Sequence, residues 1–285
     1  MTDYLAIDEP WRRHRAYIVN VAYQLLGDVG DAEDIAQEAF LRLSGTGDVD
    51  DVRAWLTVVA SRLCLDQLRS ARVRRESPEE RAMLDGAVSS EPDPADRVTL
   101  DDQVSEALWE VLRRLNPSER VTFVLHDVFG LPFDEIARTV GRPAGTCRQL
   151  ARRARAKLAD EPPRLVDISP AEHHAVTEGF ISACGAGDID ALMTLLDPSA
   201  WGEGRLIGIA APPQINRGRI DVATNLIRYL GPGTTLVVAA GRTPEAVVLA
   251  FRARRLLARV NLDVRDGRIV SVRATVDPSV AGDQR

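Results

Sequence analysis

Two proline-bearing interruptions decide what this chain can fold into. The first spans residues 76–98, where Pro78, Pro92 and Pro94 stand among Ser, Asp and Glu; the second is Glu161-Pro162-Pro163. Proline fixes φ and removes a backbone donor, so neither stretch continues a helix or serves as a central strand. They leave three folding units, residues 1–75, 99–160 and 169–280, with 76–98 as a linker. That division suits 285 residues, more than one hydrophobic core usually holds.

The first unit reads as helical. Asp8-Glu9-Pro10 is a helix start before Trp11, and Ile18, Val21, Ala22, Leu25 and Leu26 form a helical stripe ending at Gly27. Asp31 is expected to cap a second helix, with Ile35, Ala36, Ala39, Phe40 and Leu43 on one face and Asp34, Gln37, Glu38 and Arg42 on the other. A third helix is predicted from about Asp51 to Leu68, with Trp55 on its apolar face as a core residue. Between Arg62 and Arg75 stand five arginines (Arg62, Arg69, Arg72, Arg74, Arg75) against one acid, Asp66. Such a helix end can track phosphates or hold a displaced strand. Taken alone, the second helix is equally consistent with a solvated amphipathic face.

In the second unit, residues 101–115 follow a helical pattern. Asn116 then caps a helix with Pro117 in first position, running through Val121, Val124, Leu125 and Val128 to Gly130. A short helix over Pro132–Gly141, a glycine turn and a last helix over about Pro143–Leu158 give a helix-turn-helix order. On the last helix Cys147, Leu150, Ala151, Ala154 and Leu158 make one stripe. Arg148, Arg152 and Arg155 lie on another, with Gln149 and Arg153 beside them. From Arg138 to Lys157 there are seven basic residues and no acid. Arginine can grip guanine bidentately and glutamine can do so for adenine, so this face suits a major groove. The whole-chain charge of −6 hides this local basic face; distribution matters more than the sum.

With these segments in this order, the chain resembles the extracytoplasmic-function (group 4) sigma factors. Ala32-Glu33-Asp34-Ile35-Ala36-Gln37-Glu38-Ala39-Phe40-Leu41-Arg42-Leu43 is similar to that family's polymerase-binding helix. Arg53-Ala54-Trp55-Leu56 and Leu65-Asp66-Gln67-Leu68-Arg69 resemble its segment for opening the −10 element. Gly130-Leu131-Pro132-Phe133-Asp134-Glu135-Ile136-Ala137 and Gly145-Thr146-Cys147-Arg148-Gln149 resemble its −35 module. The resemblance implies core RNA polymerase and promoter DNA as partners and a cytoplasmic setting. It assigns polymerase docking to Asp34, Gln37, Glu38, Phe40, Leu41 and Arg42. DNA contact falls to Arg62, Asp66, Arg69 and Arg72 in the first unit, and to Thr146, Arg148, Gln149, Arg152, Arg153 and Arg155 in the second. Many family members carry Asn at the position of Arg62, so a −10 base preference does not carry over. A helix-turn-helix regulator that never joins polymerase is the alternative.

Residues 169–280 read as an α+β unit. A helical hairpin over Glu172–Cys184 and Gly187–Leu196 precedes a helix over residues 219–230. Strand-like runs follow at Arg205–Ala210, Thr235–Ala240, Val247–Arg252, Ala258–Val264 and Ile269–Thr275, with an Asp266-Gly267 hairpin signal. The order resembles the SnoaL-like cone-shaped barrel appended to SigI/SigJ-like sigma factors. That subgroup's linker and C-terminal motifs are replaced here by Ser89-Ser90-Glu91-Pro92-Asp93-Pro94 and Val276-Asp277-Pro278-Ser279. The expected fold class is therefore two all-α modules followed by an α+β regulatory domain, with a small-molecule ligand as a further partner. An enzyme of this fold would need an acid–base group inside the cone. His173 and His174 lie on the first helix, and Asp263 and Asp266 flank a turn, so no catalytic residue is assigned. Cys64, Cys147 and Cys184 form no CxxC pair and read as small buried hydrophobes in a reducing compartment, with no metal or cofactor expected. No apolar run approaches the ~20 residues that span a bilayer, and no membrane contact is expected.

Overall fold

A computed structural model describes residues 5–76, 114–158, 170–209, 211–239 and 246–281. The linker and nearly all of the helix expected at 101–115 lie outside the described residues.

Three helices form the first module: α1 (Leu5–Leu26), α2 (Val29–Ser44) and α3 (Val52–Glu76), each packed on the other two. Their apolar stripes meet in a core containing Ile18, Leu25, Ile35, Phe40, Leu56 and Cys64. Two boundaries differ from expectation. Helix α1 begins at Leu5, so Pro10 lies inside it, where its missing N–H removes one i→i−4 hydrogen bond near the helix start. Asp28, not Asp31, caps α2: its carboxylate accepts the Asp31 amide at 2.8 Å. Trp55 packs against the core, as its face predicts.

In the second module Asn116 and Glu119 form a reciprocal capping box at α4 (Pro117–Phe123). The chain then widens into a π-helical turn over Val124–Val128. After Gly130 come α5 (Phe133–Val140) and α6 (Ala144–Leu158), joined through Gly141 in the left-handed region at φ 67°. Helix α3 packs on α4 and α5. The buried Arg120 guanidinium donates to the Leu25 carbonyl at 3.2 Å, and Tyr17 meets Phe129 edge-on at 5.7 Å.

The third unit comprises α7 (Pro170–Ala186), α8 (Ile189–Leu195), β1 (Leu196–Leu206), β2 (Gln214–Arg217), α9 (Arg219–Leu230), β3 (Thr235–Ala239), β4 (Ala246–Arg252), β5 (Arg255–Arg265), β6 (Arg268–Val276) and α10 (Pro278–Ala281). The expected cone-shaped barrel is corrected in one respect: the six-stranded sheet is open, in the order β2-β1-β6-β5-β4-β3, so β2 and β3 are edges. The first strand also lies earlier than the Arg205–Ala210 run suggested. Asp266 and Gly267 turn the β5–β6 hairpin with φ 50° and 71°.

Strand β4 explains how the units are held together. Its alternate side chains enter two different cores: Val247, Leu249 and Phe251 join that of the helical modules, while Val248 and Ala250 join that of the C-terminal unit. A run with no polar alternation, Ala246-Val247-Val248-Leu249-Ala250-Phe251, is the sequence of a strand buried on both faces. Each fully buried large side chain contributes roughly 1.5–3 kcal/mol. The edge of β3 is covered by α1. Val238 donates to Asn20 Oδ1 at 2.9 Å, and its carbonyl accepts from the Gln24 side-chain amide.

Candidate nucleic-acid interface

Helix α6 separates its residues by chemistry. Cys147, Leu150, Ala151, Ala154 and Leu158 are buried, whereas Arg148, Gln149, Arg152, Arg153 and Arg155 are exposed. Apolar spacing at three and four residues turns one side inward, so the arginines between must face solvent. The Gly141 turn sets α6 against α5, and Thr146 is half-buried, its amide donating to the Pro143 carbonyl at 2.8 Å. The Arg148 guanidinium stands 6.0 Å from the Phe133 ring centroid, and Phe133 stacks on His126 at 3.9 Å. That stack rests on the π-helical turn.

Arg155 differs from its neighbours. It donates to Asp127 Oδ1 through two nitrogens, at 2.8 and 2.7 Å. Lys157 reaches back to the buried Glu119 carboxylate at 2.7 Å. Burial pushes the Glu119 carboxyl up, but Lys157 and the Asn116 amide outweigh it and hold it below the ordinary value. The two basic residues nearest the end of α6 therefore fasten the helix to its own module. The row aimed at solvent is Arg148, Gln149, Arg152 and Arg153.

On α3, Arg62 is exposed, yet its Nη2 donates to the Arg138 carbonyl of the second module at 2.6 Å. Asp66 and Arg69 form a loose exposed pair at 3.9 Å, and Arg72 is exposed one turn on. Side chains of Arg74 and Arg75 lie outside the described residues. The residues expected at the −10 and −35 elements thus stand on separate helices, and in this conformation Arg62 is occupied between them.

On α2, Asp34, Gln37, Leu41 and Arg42 are exposed, with Leu41 at 59%. Glu38 is paired with Arg42 at 2.8 Å. Phe40 does not belong to this face: it is 2% exposed and meets Trp11 edge-on at 4.8 Å, a core residue. Asp34 accepts from Arg254 Nη2 of the C-terminal unit at 2.8 Å, and Glu33 accepts from Thr235 and from Arg15. Asp127, Arg254 and Thr235 were not singled out from sequence. Each acts across a long stretch of chain, which local pattern does not encode.

Residues 11–74 match the model of Sigma-70 region 2, and residues 105–158 match that of Sigma-70, region 4. The probable ECF RNA polymerase sigma factor SigI of Mycobacterium tuberculosis is 45% identical over 283 residues, covering 98% of this chain and 96% of that protein. The chain belongs to the ECF sigma factors. This sigma factor is also 38% identical over 227 residues to the ECF RNA polymerase sigma factor SigJ of the same organism, spanning 77% of this chain and 72% of SigJ. The crystal structure of SigJ aligns over 95% of this chain and 96% of SigJ at 29% identity, with a TM-score of 0.39. The sigma factors are not an enzyme family, which sets aside a catalytic reading of the chain.

Proposed function

We propose that this sigma factor joins core RNA polymerase through the exposed face of α2, engages the −10 element with the arginine-bearing end of α3 and reads the −35 element with α6, in the cytoplasm. The C-terminal α+β domain modulates that activity in response to a small molecule. The observation that carries the reading is the solvent-facing row Arg148, Gln149, Arg152 and Arg153 laid over a buried apolar stripe. Three arginines and a glutamine on one helix suit both phosphate contacts and base-edge contacts. The 45% identity with a named ECF sigma factor supports the same reading.

Promoter engagement requires two contacts to give way. Arg62 must leave the Arg138 carbonyl to meet DNA, and Asp34 must leave Arg254 to meet polymerase. Both groups are solvent-exposed, so neither contact costs more than about 1–2 kcal/mol to break. The heavier resistance lies in the apolar contacts of β4 against the helical core.

Reconstitution with core polymerase on a mapped promoter tests the reading. Association with core and a discrete transcript start are expected. A chain that binds duplexes and ignores core polymerase is a separate DNA-binding regulator, and the docking assignment to α2 is then refuted.

A further inference from the structure

Alternation along β1 leaves an unusual gap. Gly202 and Gly204 lie on the face of β1 toward α9, with Leu206, 45% exposed, at its rim, while Trp201, Glu203 and Arg205 alternate to the other face. Two glycines at i and i+2 remove the side chains that would fill the space between this edge of the sheet and α9. A Cβ at Gly204 would meet nothing within 4 Å, and one at Gly202 would make only ordinary contact with Val222 at 3.7 Å. The result is a cavity of about 220 Å³ between β1, β2, β6 and α9. Leu206, Ala211, Pro212 and Gln214 at its rim are exposed, so the cavity is a cleft open to solvent, floored by the glycine pair and the apolar face of α9.

The walls are chemically selective. Val222, Leu226, Val272, Ala274 and Val276 supply the apolar surface. In the register of β1 with β2, Asn216 lies opposite Gly202 and Gln214 opposite Gly204, so carboxamides stand where the facing strand has no side chain. Asn225 and Tyr229 add polar groups from α9. Among the described residues that line it, none is a cation. The one charged residue there, Glu203, has its side chain on the outer face, paired with Arg205. The guanidinium beside the site, Arg252, is held on the Tyr229 and Ala281 carbonyls at 3.0 Å, so an anionic ligand would meet a cation already engaged, whereas a ligand with one polar group can pair with a carboxamide.

We propose that this cavity binds a compact neutral molecule, with an apolar body of one or two rings and a single carbonyl or hydroxyl group that pairs with Asn216 or Asn225. A cavity of roughly 150 Å³ is enough for benzene, which sets the scale. The assignment rests on the reading of the C-terminal domain as ligand-responsive and specifies where and what it binds. Pockets of this make-up, mostly apolar with a few convergent polar groups, are the usual small-molecule sites.

Calorimetric titration of the full-length chain with 2-naphthol and 1-indanone tests the proposal, with 2-naphthoate as the anionic counterpart. One site per chain is expected for the neutral probes, with 2-naphthoate at least tenfold weaker. Gly204→Leu, Gly204→Phe and, from the neighbouring strand β6, Ala274→Leu should each weaken binding at least twentyfold. Variants whose melting temperature matches or exceeds the parent's are the ones scored. Asn216→Leu should cost about tenfold, the value of one hydrogen bond. Neutral probes that fail to bind, probes indifferent to all three filling variants, or naphthoate binding as well as naphthol would each overturn it. Association with core polymerase is scored on the same parent sample. A chain that binds 2-naphthol and ignores core overturns the initiation reading alone, and one that joins core yet takes up no neutral probe overturns the cavity alone.

Discussion

Asn20, on the first helix, accepts the backbone amide of Val238, on the last-ordered strand of the C-terminal sheet, at 2.9 Å. With Gln24 donating to the Val238 carbonyl, two side chains one turn apart do for this edge strand what a neighbouring strand would do. Both are almost wholly buried, which a polar residue tolerates only when its partners are in place. Asn20→Ala should therefore cost about 1–3 kcal/mol, because it strands a buried donor. Hydrogen exchange at the Val238 amide should accelerate in the same variant; unchanged protection would show that the contact does not anchor the domain.

The Asp34–Arg254 pair divides two roles that one residue plays. Arg254→Ala frees Asp34 and should raise affinity for core polymerase two- to fivefold, the scale of an exposed ion pair worth ~0.2–1 kcal/mol. Asp34→Ala should lower it. If both variants move affinity the same way, the contact with Arg254 does not compete with docking.

Among the α6 arginines, the geometry predicts unequal effects. Arg148→Ala should weaken discrimination of the −35 element by ~1–3 kcal/mol if it reads a base edge. Arg155 is held by Asp127, so Arg155→Ala should leave base preference intact and lower stability by no more than about 1 kcal/mol. Binding isotherms across −35 variants separate the two, and a sequence-selective loss at Arg155 would count against the assignment.

Glu119 makes the second module sensitive to acid. Its carboxyl is held below the ordinary value, so its folded form gives up a proton more readily than the unfolded one. The stabilisation is complete above the ordinary carboxylate range, at about pH 5 and higher, and is lost as pH falls through the lowered value. Glu119→Gln should flatten that acid limb in urea titrations followed by tryptophan-independent circular dichroism. An unaltered limb would remove Glu119 from the account.

The three thiols offer a simple check on burial. Burial pushes Cys64 and Cys184 far above the ordinary thiol value, and Cys147 upward as well. All three should resist a disulfide reagent in the native chain at pH 8 and react together on unfolding. Fast labelling of one native thiol would contradict the packing around it.

What could be read from the residues depended on how local the cause was. The inward and outward faces of α6, the Asn116 cap, the helix over 219–230, the strands β4, β5 and β6 and the Asp266-Gly267 turn all follow from short-range periodicity or turn chemistry; the β4–β5 turn at Ala253 and Arg254, with φ 50° and 63°, carries no such signal. Strand β1 does not follow from them either: Pro198, Gly202 and Gly204 disfavour a strand, and its ladders to β2 and β6 override that preference. Phe40 carried two readings, a core position by periodicity and a docking residue by resemblance, and it packs in the core against Trp11, as its stripe predicts. The open sheet, the Val238 clasp and the Asp34 contact are set by residues far apart in the chain. No window of sequence contains both partners.

One pairing in the sheet governs the order in which the molecule can be built. Strand β1 runs parallel to β6, the final strand, and until that strand is made its other neighbour is the four-residue β2. Domains emerging from a ribosome fold from the N-terminus onward, and pairings between distant segments come late. A newborn chain therefore completes its α-helical part while the sheet that will lie across α1 and reach α2 is still missing an inner strand. For that interval Arg254 has no completed sheet to hold it against Asp34, and the youngest molecules should be the ones with the least restraint on α2.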